Sequence, residues 1–366
     1  MKRVLILEPY FGGSHKLFLG GLQRSVVADY TLITLPARKW KVRMQLSAFW
    51  FVEQICKMAE EERGFDTVLC STFVDVAVLR SLLTTIAGWN PGARICTYFH
   101  ENQFAYPNQI QSLDSRQFTA INFNTAMASD LCAFNSHYNL DSFLDAIKVS
   151  LKRATDMKPL DCVNTIRKKS MVLYPGMDYS SIDTVTHGKN NDLESSARPV
   201  IVWNHRWEHD KGPELFFNAL YKMQERGIAF RLIVMGQSFA NNPSCFEEAE
   251  RKLRDEILHF GYVETRNEYA DFLHRADLIV STARHEFFGI SILEGIRAGC
   301  YPLLPANLSY PELYDEKYLY RHGELILRLS EFLLHPEKLV DSEAYKLTQR
   351  FDWNRCKDEY GKWLFE

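Results

Sequence analysis

The sequence predicts an α/β protein made of two doubly wound domains with parallel sheets. Short apolar runs of strand length alternate with amphipathic stretches of helix length along the whole chain. Strands that are apolar on both faces are typical of parallel sheets covered by helices on both sides. With 366 residues, the chain is long enough for two domains that each bury a core.

Eleven apolar runs are the candidate strands, six in the first half of the chain and five in the second. In chain order they are Val4–Glu8, Thr31–Leu35, Thr67–Ser71, Arg94–His100, Leu131–Asn135, Met171–Tyr174, Val200–Asn204, Arg231–Met235, Leu258–Val263, Leu278–Ser281 and Tyr301–Leu304. Between the two series, residues 175–199 are polar and rich in Gly, Ser and Asn, which predicts a linker over residues 177–198. The predicted domains are residues 1–176 and 199–346, and the aromatic, helix-like segment 347–366 is expected to pack back on the first of them.

The composition excludes several classes of protein. Hydrophobic residues make up 46% and charged residues 24%, so a disordered or collagen-like chain is excluded. The best candidate for a membrane span, residues 74–89, is interrupted by Asp75 and Arg80, and no signal-peptide pattern opens the chain. We therefore expect a soluble cytoplasmic protein without membrane partners.

The eight cysteines form no Cys-x-x-Cys pair, which indicates reduced thiols.

The most informative motif follows the predicted strand that ends at Ser281. It reads His-Glu-Phe-Phe-Gly-Ile-Ser-Ile-Leu-Glu-Gly from His285, and a helix is expected to begin near Gly289. A helix N-terminus offers free N–H groups and a positive dipole end, which can bind a phosphate or diphosphate. Glu286 and Glu294 can accept hydrogen bonds from different hydroxyls of one elongated ligand. Most glutamates are merely solvated, but Glu294 lies on an apolar helix face.

A second motif follows the predicted strand Val200–Asn204. It runs from His205 to Pro213, and Pro213 is expected in the first turn of a helix. Arg206 and Lys211 then lie at the carboxyl end of a strand, where the charge of a diphosphate needs neutralising. Basic loop residues are common, but both motifs lie at the same edge of one predicted sheet.

Together the two motifs resemble the donor-binding half of the GT-B glycosyltransferases, in particular the retaining family 4 type. That family has two Glu separated by seven residues, here Glu286 and Glu294, and an Arg followed five residues later by Lys-Gly, here Arg206 and Lys211. His205 departs from the pattern, because the family usually has Gly there. The resemblance covers about the last half of the chain.

The resemblance implies a nucleotide-sugar donor bound between two Rossmann-like domains that face each other across a cleft. Arg206 and Lys211 would hold the diphosphate, Glu294 would accept from the ribose, and Glu286 would accept from the sugar. It also implies no cofactor and no metal, since cationic side chains and a helix dipole can do the work of Mg²⁺. The absence of an Asp-x-Asp pair agrees with this.

Two further motifs close predicted strands of the first domain. Gly12-Gly13-Ser14-His15 follows the first strand, and Ser14 is the expected N-cap of the next helix. A Gly-Gly turn is more often simple geometry. The run from His100 to Gln103 closes another strand, and His100 can hydrogen-bond sugar hydroxyls or move a proton near neutrality. A histidine at a strand end is more often structural, but here polar and aromatic side chains cluster beside it.

At these residues the resemblance narrows to the tRNA-queuosine α-mannosyltransferases and spans nearly the whole chain. It is carried by residues 12–16, 35–40, 99–103 and 134–136. It implies retaining transfer of mannose from GDP-mannose to the cyclopentenediol of queuosine, at the wobble position of a tRNA for aspartate.

Two basic clusters fit an RNA acceptor. The first surrounds Trp40 with Arg38, Lys39, Lys41 and Arg43, a combination that suits phosphate contact and base stacking. The second consists of Lys148, Lys152, Arg153, Lys158, Arg167, Lys168 and Lys169. Without the resemblance, solvated basic faces would be the preferred interpretation of both clusters, and with it tRNA binding is the hypothesis.

These arguments assign three sets of residues. Catalysis is assigned to His100, Arg206, Lys211 and Glu286, donor binding to Gly12, Gly13, Arg206, Lys211, Tyr262, Glu286, Phe287, Phe288, Gly289, Ile290 and Glu294, and acceptor binding to Ser14, His15, Arg38, Lys39, Trp40, His100, Glu101, Asn102, Gln103 and Asn135. Two alternatives stay open, namely a GT-B enzyme with a small-molecule or lipid acceptor and an inactive nucleotide-sugar or tRNA-binding module. The complete set of charged donor-site residues favours an active enzyme. The sequence leaves the donor base, the sugar and the oligomeric state open.

Overall fold

The computed structural model describes residues 1–105, 113–152, 161–184, 198–238 and 242–366. Within these ranges the chain forms two units, one of Met1–Met177 with Trp353–Glu366 and the other of Asp178–Asp352. Each unit contains one six-stranded sheet in which all neighbouring strands are parallel. The predicted α/β fold class is confirmed. Most of the predicted linker lies outside the described residues, as do Arg153 and Lys158 of the second basic cluster.

The first unit alternates strands and helices. Its elements are β1 (Arg3–Phe11), α1 (Gly13–Ser25), β2 (Asp29–Pro36), α2 (Trp40–Cys56), β3 (Thr67–Ser71), α3 (Val76–Leu83), β4 (Arg94–Phe99), α4 (Leu113–Ala128), β5 (Leu131–Phe134), α5 (His137–Lys152), α6 (Cys162–Lys168) and β6 (Ser170–Val172). The strand order is β2-β1-β3-β4-β5-β6, so it reverses between β1 and β3. Every residue of β3 is buried, as expected for a central strand covered on both faces.

The second unit repeats this plan. Its elements are α7 (Ser180–Asp183), β7 (Val200–Asn204), α8 (Pro213–Glu225), β8 (Arg231–Met235), α9 (Cys245–Lys252), β9 (Ile257–Gly261), α10 (Arg266–Arg275), β10 (Leu278–Val280), α11 (Ile290–Arg297), β11 (Tyr301–Pro305), α12 (Tyr310–Leu313), β12 (Leu319–Tyr320), α13 (Leu325–Leu334) and α14 (Asp341–Thr348). The strand order β12-β11-β10-β7-β8-β9 reverses between β10 and β7. Ligands of such sheets bind outside the carboxyl ends of the strands where the order reverses, so the loops after β7 and β10 flank the expected site.

The last helix, α15 (Trp353–Phe365), packs on the sheet of the first unit. Trp353 and Tyr360 are buried in the same apolar cluster as Val4 of β1. A Cβ on Gly176 would lie 2.2 Å from the ring of Trp353, so this contact requires a residue without a side chain. The part of the C-terminal segment that joins the first unit begins at Trp353, later than residue 347, because α14 belongs to the second unit.

All eleven predicted strands are present, and three of them coincide with the predicted bounds at both ends, namely β3, β7 and β8. Strand β12 was not predicted, because two residues are too short to show a periodic pattern. The proposed N-cap Ser14 is wrong. The N-cap of α1 is Gly12, and α1 begins at Gly13, one residue before Ser14. Gly13 has φ +48°, a left-handed value that favours glycine at this turn.

Candidate active site

Two loops of the second unit are joined at the carboxyl ends of β7 and β10. The amide of Arg284 donates to the carbonyl of Asp210 at 2.8 Å, and the hydroxyl of Thr282 donates to the carbonyl of Lys211 at 3.0 Å. Gly212 has φ +62°, and a Cβ there would lie 2.3 Å from the carbonyl oxygen of Thr282. The junction therefore depends on a glycine next to Lys211.

Lys211 is the charged centre of this junction. Its ammonium donates to the carbonyl of His285 at 2.8 Å and to Glu286 Oε2 at 3.1 Å, and it lies 3.5 Å from Asp210 Oδ2. Its side chain is only 9% exposed. Because the surroundings exclude most water, this positive charge acts more strongly on a neighbouring anion than a surface lysine would.

Glu286 is held as an anion beside Lys211. Its Oε1 accepts the amide hydrogens of Phe287 at 3.1 Å and Phe288 at 3.3 Å. Burial alone would raise the pKa of Glu286, but the Lys211 ammonium and these hydrogen bonds outweigh it and lower the pKa to about 2. The two phenylalanine amides, assigned to the donor from sequence, donate to Glu286 in this structure, and their side chains are buried.

Helix α11 points its N-terminus at the same loop. Gly289 is its N-cap with φ +90°, and the helix begins at Ile290, which confirms the predicted start. Hydrogen bonds within the helix begin with the amide of Ile292, so the amides of Gly289 and Ile290 precede the first one and are suited to an anion.

His205 and Arg206 follow β7 directly. The guanidinium of Arg206 is 48% exposed and lies 3.1 Å from Glu208. His205 is buried. Burial and the Lys211 charge lower the pKa of His205 to about 3, so its imidazole is neutral. The charges of Lys211, Glu286, Asp210 and Arg206 all act on this imidazole.

The second unit is expected to lose stability in mild acid because of His205. The folded pKa of about 3 lies below the usual value of 6.5, so the unfolded chain binds the proton first. Stability is constant above about pH 6.5 and falls as the pH decreases, by about 2 kcal/mol at about pH 5 from His205 alone. Unfolding free energies at several pH values would measure this. The His205→Leu variant should lose part of the slope, and parallel curves for both proteins would contradict the prediction.

Glu294 lies in the middle of α11 and is buried. Its two carboxylate oxygens accept hydrogen bonds from Arg266 at 2.8 Å and from Tyr269 at 2.5 Å. Tyr262, in the loop between β9 and α10, is 59% exposed. Sequence reasoning missed Arg266 and Tyr269, although their i, i+3 spacing at the start of the helix that follows β9 was a usable signal.

The first unit has a cluster of histidines at the carboxyl ends of its strands. Glu8, at 2% exposure, accepts the amide hydrogen of Tyr10 at 2.7 Å and lies 3.0 Å from His15 Nδ1. The rings of His15 and His100 stack with centroids 4.1 Å apart. Burial and the neighbouring His15 hold the pKa of His100 well below its usual range, so His100 is a neutral imidazole. Sequence reasoning missed Glu8, the single acidic residue at the end of an apolar run.

Two residues assigned to the acceptor are internal. Asn102 is fully buried, donates to Asn139 Oδ1 at 2.8 Å and accepts from the amide of Ala105 at 2.9 Å. Asn135 donates to the carbonyl of His100 at 2.7 Å. Both amides are engaged within the chain, so they hold the loop after β4 rather than face a ligand.

The remaining first-unit residues of the assignment lie nearer the surface. Glu101 accepts a hydrogen bond from Gln103 at 3.3 Å. Gly13 and Ser14 are exposed in the first turn of α1. A Cβ on Gly12 would lie 2.5 Å from the Cβ of Ala37, so the packing of these two segments requires glycine there.

The first basic cluster lies at the start of α2. Arg38, Lys39 and Lys41 are exposed, and Lys41 Nζ lies 5.9 Å from the centroid of the Trp40 ring. Trp40 is partly buried, with its ring 5.1 Å from that of Phe118. The cations are therefore accessible, whereas part of the tryptophan is used in packing.

The second basic cluster is less uniform than predicted. Lys148, Lys152, Arg167 and Lys168 are exposed. Lys169 is not part of this surface, because its ammonium donates to main-chain carbonyls at the end of α4 at 2.6 and 2.5 Å.

Comparison with known families supports the sequence resemblance. Residues 3–177 match the family described as tRNA-queuosine alpha-mannosyltransferase N-terminal, and residues 188–327 match the family of glycosyl transferases group 1. The chain is 35% identical over 358 residues to the tRNA-queuosine alpha-mannosyltransferase of Drosophila melanogaster, which covers 96% of this chain and 92% of that protein. It is 30% identical over 175 residues to a GDP-mannose:cellobiosyl-diphosphopolyprenol alpha-mannosyltransferase of Xanthomonas oryzae pv. oryzae (strain PXO99A), with coverage of 44% and 45%.

Solved structures give the fold. The chain is similar to Anabaena HepE in complex with UDP-glucose, with a TM-score of 0.68, 15% identity and coverage of 99% of both chains. It is also similar to the sucrose-phosphate synthase of Thermosynechococcus elongatus, with a TM-score of 0.68, 12% identity and coverage of 99% and 98%. The fold is therefore of the GT-B type, as predicted.

The two parallel sheets and the matched family domains define a glycosyltransferase. Within that class, the chain belongs to the tRNA-queuosine α-mannosyltransferase family.

Proposed function

We propose that this chain transfers mannose from GDP-mannose to queuosine in a tRNA, with retention of the α configuration. The observation that carries the proposal is the Lys211 ammonium beside Glu286 at the N-terminal side of α11. It occurs in a chain whose Drosophila relative is named as a tRNA-queuosine alpha-mannosyltransferase. The GDP-mannose donor in the name of the Xanthomonas relative supports the choice of nucleotide.

The donor site supplies charge where the leaving group forms. Lys211, Arg206 and the first amides of α11 would bind the diphosphate and stabilise the charge that develops as its bond to the sugar breaks. Glu286, ionised and oriented by Lys211, would accept hydrogen bonds from sugar hydroxyls. The acceptor oxygen bonds to the same carbon, and its proton passes to the departing phosphate, so no protein nucleophile is required.

His100 would contact the transferred sugar. It is neutral because burial and His15 depress its pKa, and a neutral imidazole can both donate and accept a hydrogen bond. Glu8 lies within hydrogen-bond distance of His15, and the ring of Tyr98 packs against that of His100.

The charges of Lys211 and Arg206 would make the reaction independent of metal ions. Accordingly, EDTA should leave the rate unchanged, and a rate that requires added Mg²⁺ would contradict this part of the proposal.

Among the helices of the described residues, none combines the length and the apolar character of a bilayer span. We infer a cytoplasmic location, where tRNA is available.

The direct test is a transfer assay. The protein would be incubated with GDP-mannose and queuosine-containing tRNA, and the modified nucleoside examined by mass spectrometry for the gain of one hexose. UDP-sugars and queuosine-free tRNA are the controls. Transfer from UDP-sugars alone, or to tRNA without queuosine, would contradict the proposal.

Binding of tRNA should depend on salt through the cluster at the start of α2. For Arg38→Ala with Lys41→Ala, we expect the slope of log affinity against log salt to decrease by about 1 to 2, because each phosphate contact releases counterions. Lys57→Ala, an exposed cation at the other end of α2, is the matched control. A wild-type affinity that does not change with salt would exclude a phosphate-binding surface.

A further inference from the structure

The carboxylate of Glu294 belongs to a network of five side chains. Besides the bonds from Arg266 and Tyr269 to its two oxygens, Asn204 at the end of β7 donates to the hydroxyl oxygen of Tyr269 at 2.6 Å. The guanidinium of Arg266 lies 4.8 Å from the centroid of the Tyr269 ring and also donates to Ser181 at 3.1 Å. The network thus fixes Glu294 from several elements of the second unit.

The direction of each hydrogen bond in this network is determined. A tyrosine hydroxyl has one hydrogen. Since Asn204 donates to the hydroxyl oxygen, that hydrogen goes to Glu294. Burial and the Glu294 charge raise the pKa of Tyr269 well above its usual value, so Tyr269 remains a donor at all physiological pH values.

The network leaves free hydrogen-bond acceptor positions on the Glu294 carboxylate. A carboxylate has about four acceptor positions, and Arg266 and Tyr269 use one on each oxygen. Each oxygen can therefore accept one further hydrogen bond, and the two neighbouring hydroxyls of a ribose are donors with matching spacing.

We propose that Tyr269 and Arg266 are positioning residues that aim Glu294 at both ribose hydroxyls of the donor nucleotide, so that the site selects ribonucleotides. This inference rests on the donor assignment in the proposed function. It names two residues that act through Glu294 without reacting themselves.

The test measures binding of GDP and 2′,3′-dideoxy-GDP by calorimetry. Wild-type protein should prefer GDP. The Tyr269→Phe variant should bind GDP about tenfold more weakly, because Glu294 would lose its orientation and with it one charge-assisted hydrogen bond from a ribose hydroxyl. Its affinity for the dideoxy nucleotide should be unchanged. A merely structural role would weaken both nucleotides alike. Tyr301→Phe, which removes a hydroxyl bonded to the carbonyl of Lys317, is the control and should change neither affinity.

The outcomes separate the two proposals. A wild-type protein that binds both nucleotides equally would refute the ribose role of Glu294 and with it the donor assignment. If wild type prefers GDP and Tyr269→Phe keeps the full preference, only the positioning role is overturned. Should Tyr269→Phe fail to fold, Arg266→Gln answers the same question, because Arg266 is half exposed and its replacement should also reduce the preference.

Discussion

The Lys211→Ala variant should transfer mannose about a thousandfold more slowly than wild type. The ammonium of Lys211 is largely shielded from water and lies 3.1 Å from Glu286, so it would meet the departing diphosphate already oriented. Removing one preorganised group of this kind costs about 10²- to 10³-fold in rate, and Glu286 would also lose its partner. Initial rates with saturating GDP-mannose would measure the effect.

Two further variants separate the loss of charge from a loss of folded structure. Arg206→Ala removes an exposed guanidinium and should reduce transfer without lowering the melting temperature. Lys211→Gln keeps a donor for the carbonyl of His285 but not the charge, so its rate should be as low as that of Lys211→Ala. Near-normal turnover in either lysine variant would contradict the charge role of Lys211.

The sequence was sufficient to predict the parallel sheets and the two loops. Patterns such as the apolar run of β7 followed by Arg206, or Gly289 before α11, are local, and a strand or a helix start depends mainly on nearby residues. The structure confirms that both loops lie on neighbouring strands, because β7 pairs with β10.

The sequence was not sufficient to predict which polar groups are already satisfied. Asn102 and Asn135 were assigned to the acceptor, but their partners come from α5 and the loop after β4. The same limit applies to Glu8, whose partner His15 lies on α1. These pairings depend on tertiary packing, which is why a motif can predict a loop but not which of its polar side chains are already bonded within the chain.

Gly212→Ala should destabilise the second unit and disturb catalysis together. The residue has φ +62°, and a Cβ would lie 2.3 Å from the carbonyl oxygen of Thr282. The backbone must therefore shift, which should cost about 3 kcal/mol. Since Thr282 also binds the carbonyl of Lys211, Lys211 would move with it. A displacement of about 1 Å at a catalytic group can cost about 100-fold in rate.

Gly227→Ala is the matched comparison for this experiment. Gly227 has φ +67°, but a Cβ there meets no atom within 4 Å, so alanine costs only the left-handed conformation, about 1 kcal/mol, and transfer should be unaffected. Denaturant unfolding and initial rates would be measured for both variants. If the two lose equal stability, the close contact with Thr282 is not the reason for glycine. If Gly212→Ala loses stability but keeps its rate, the junction does not position Lys211.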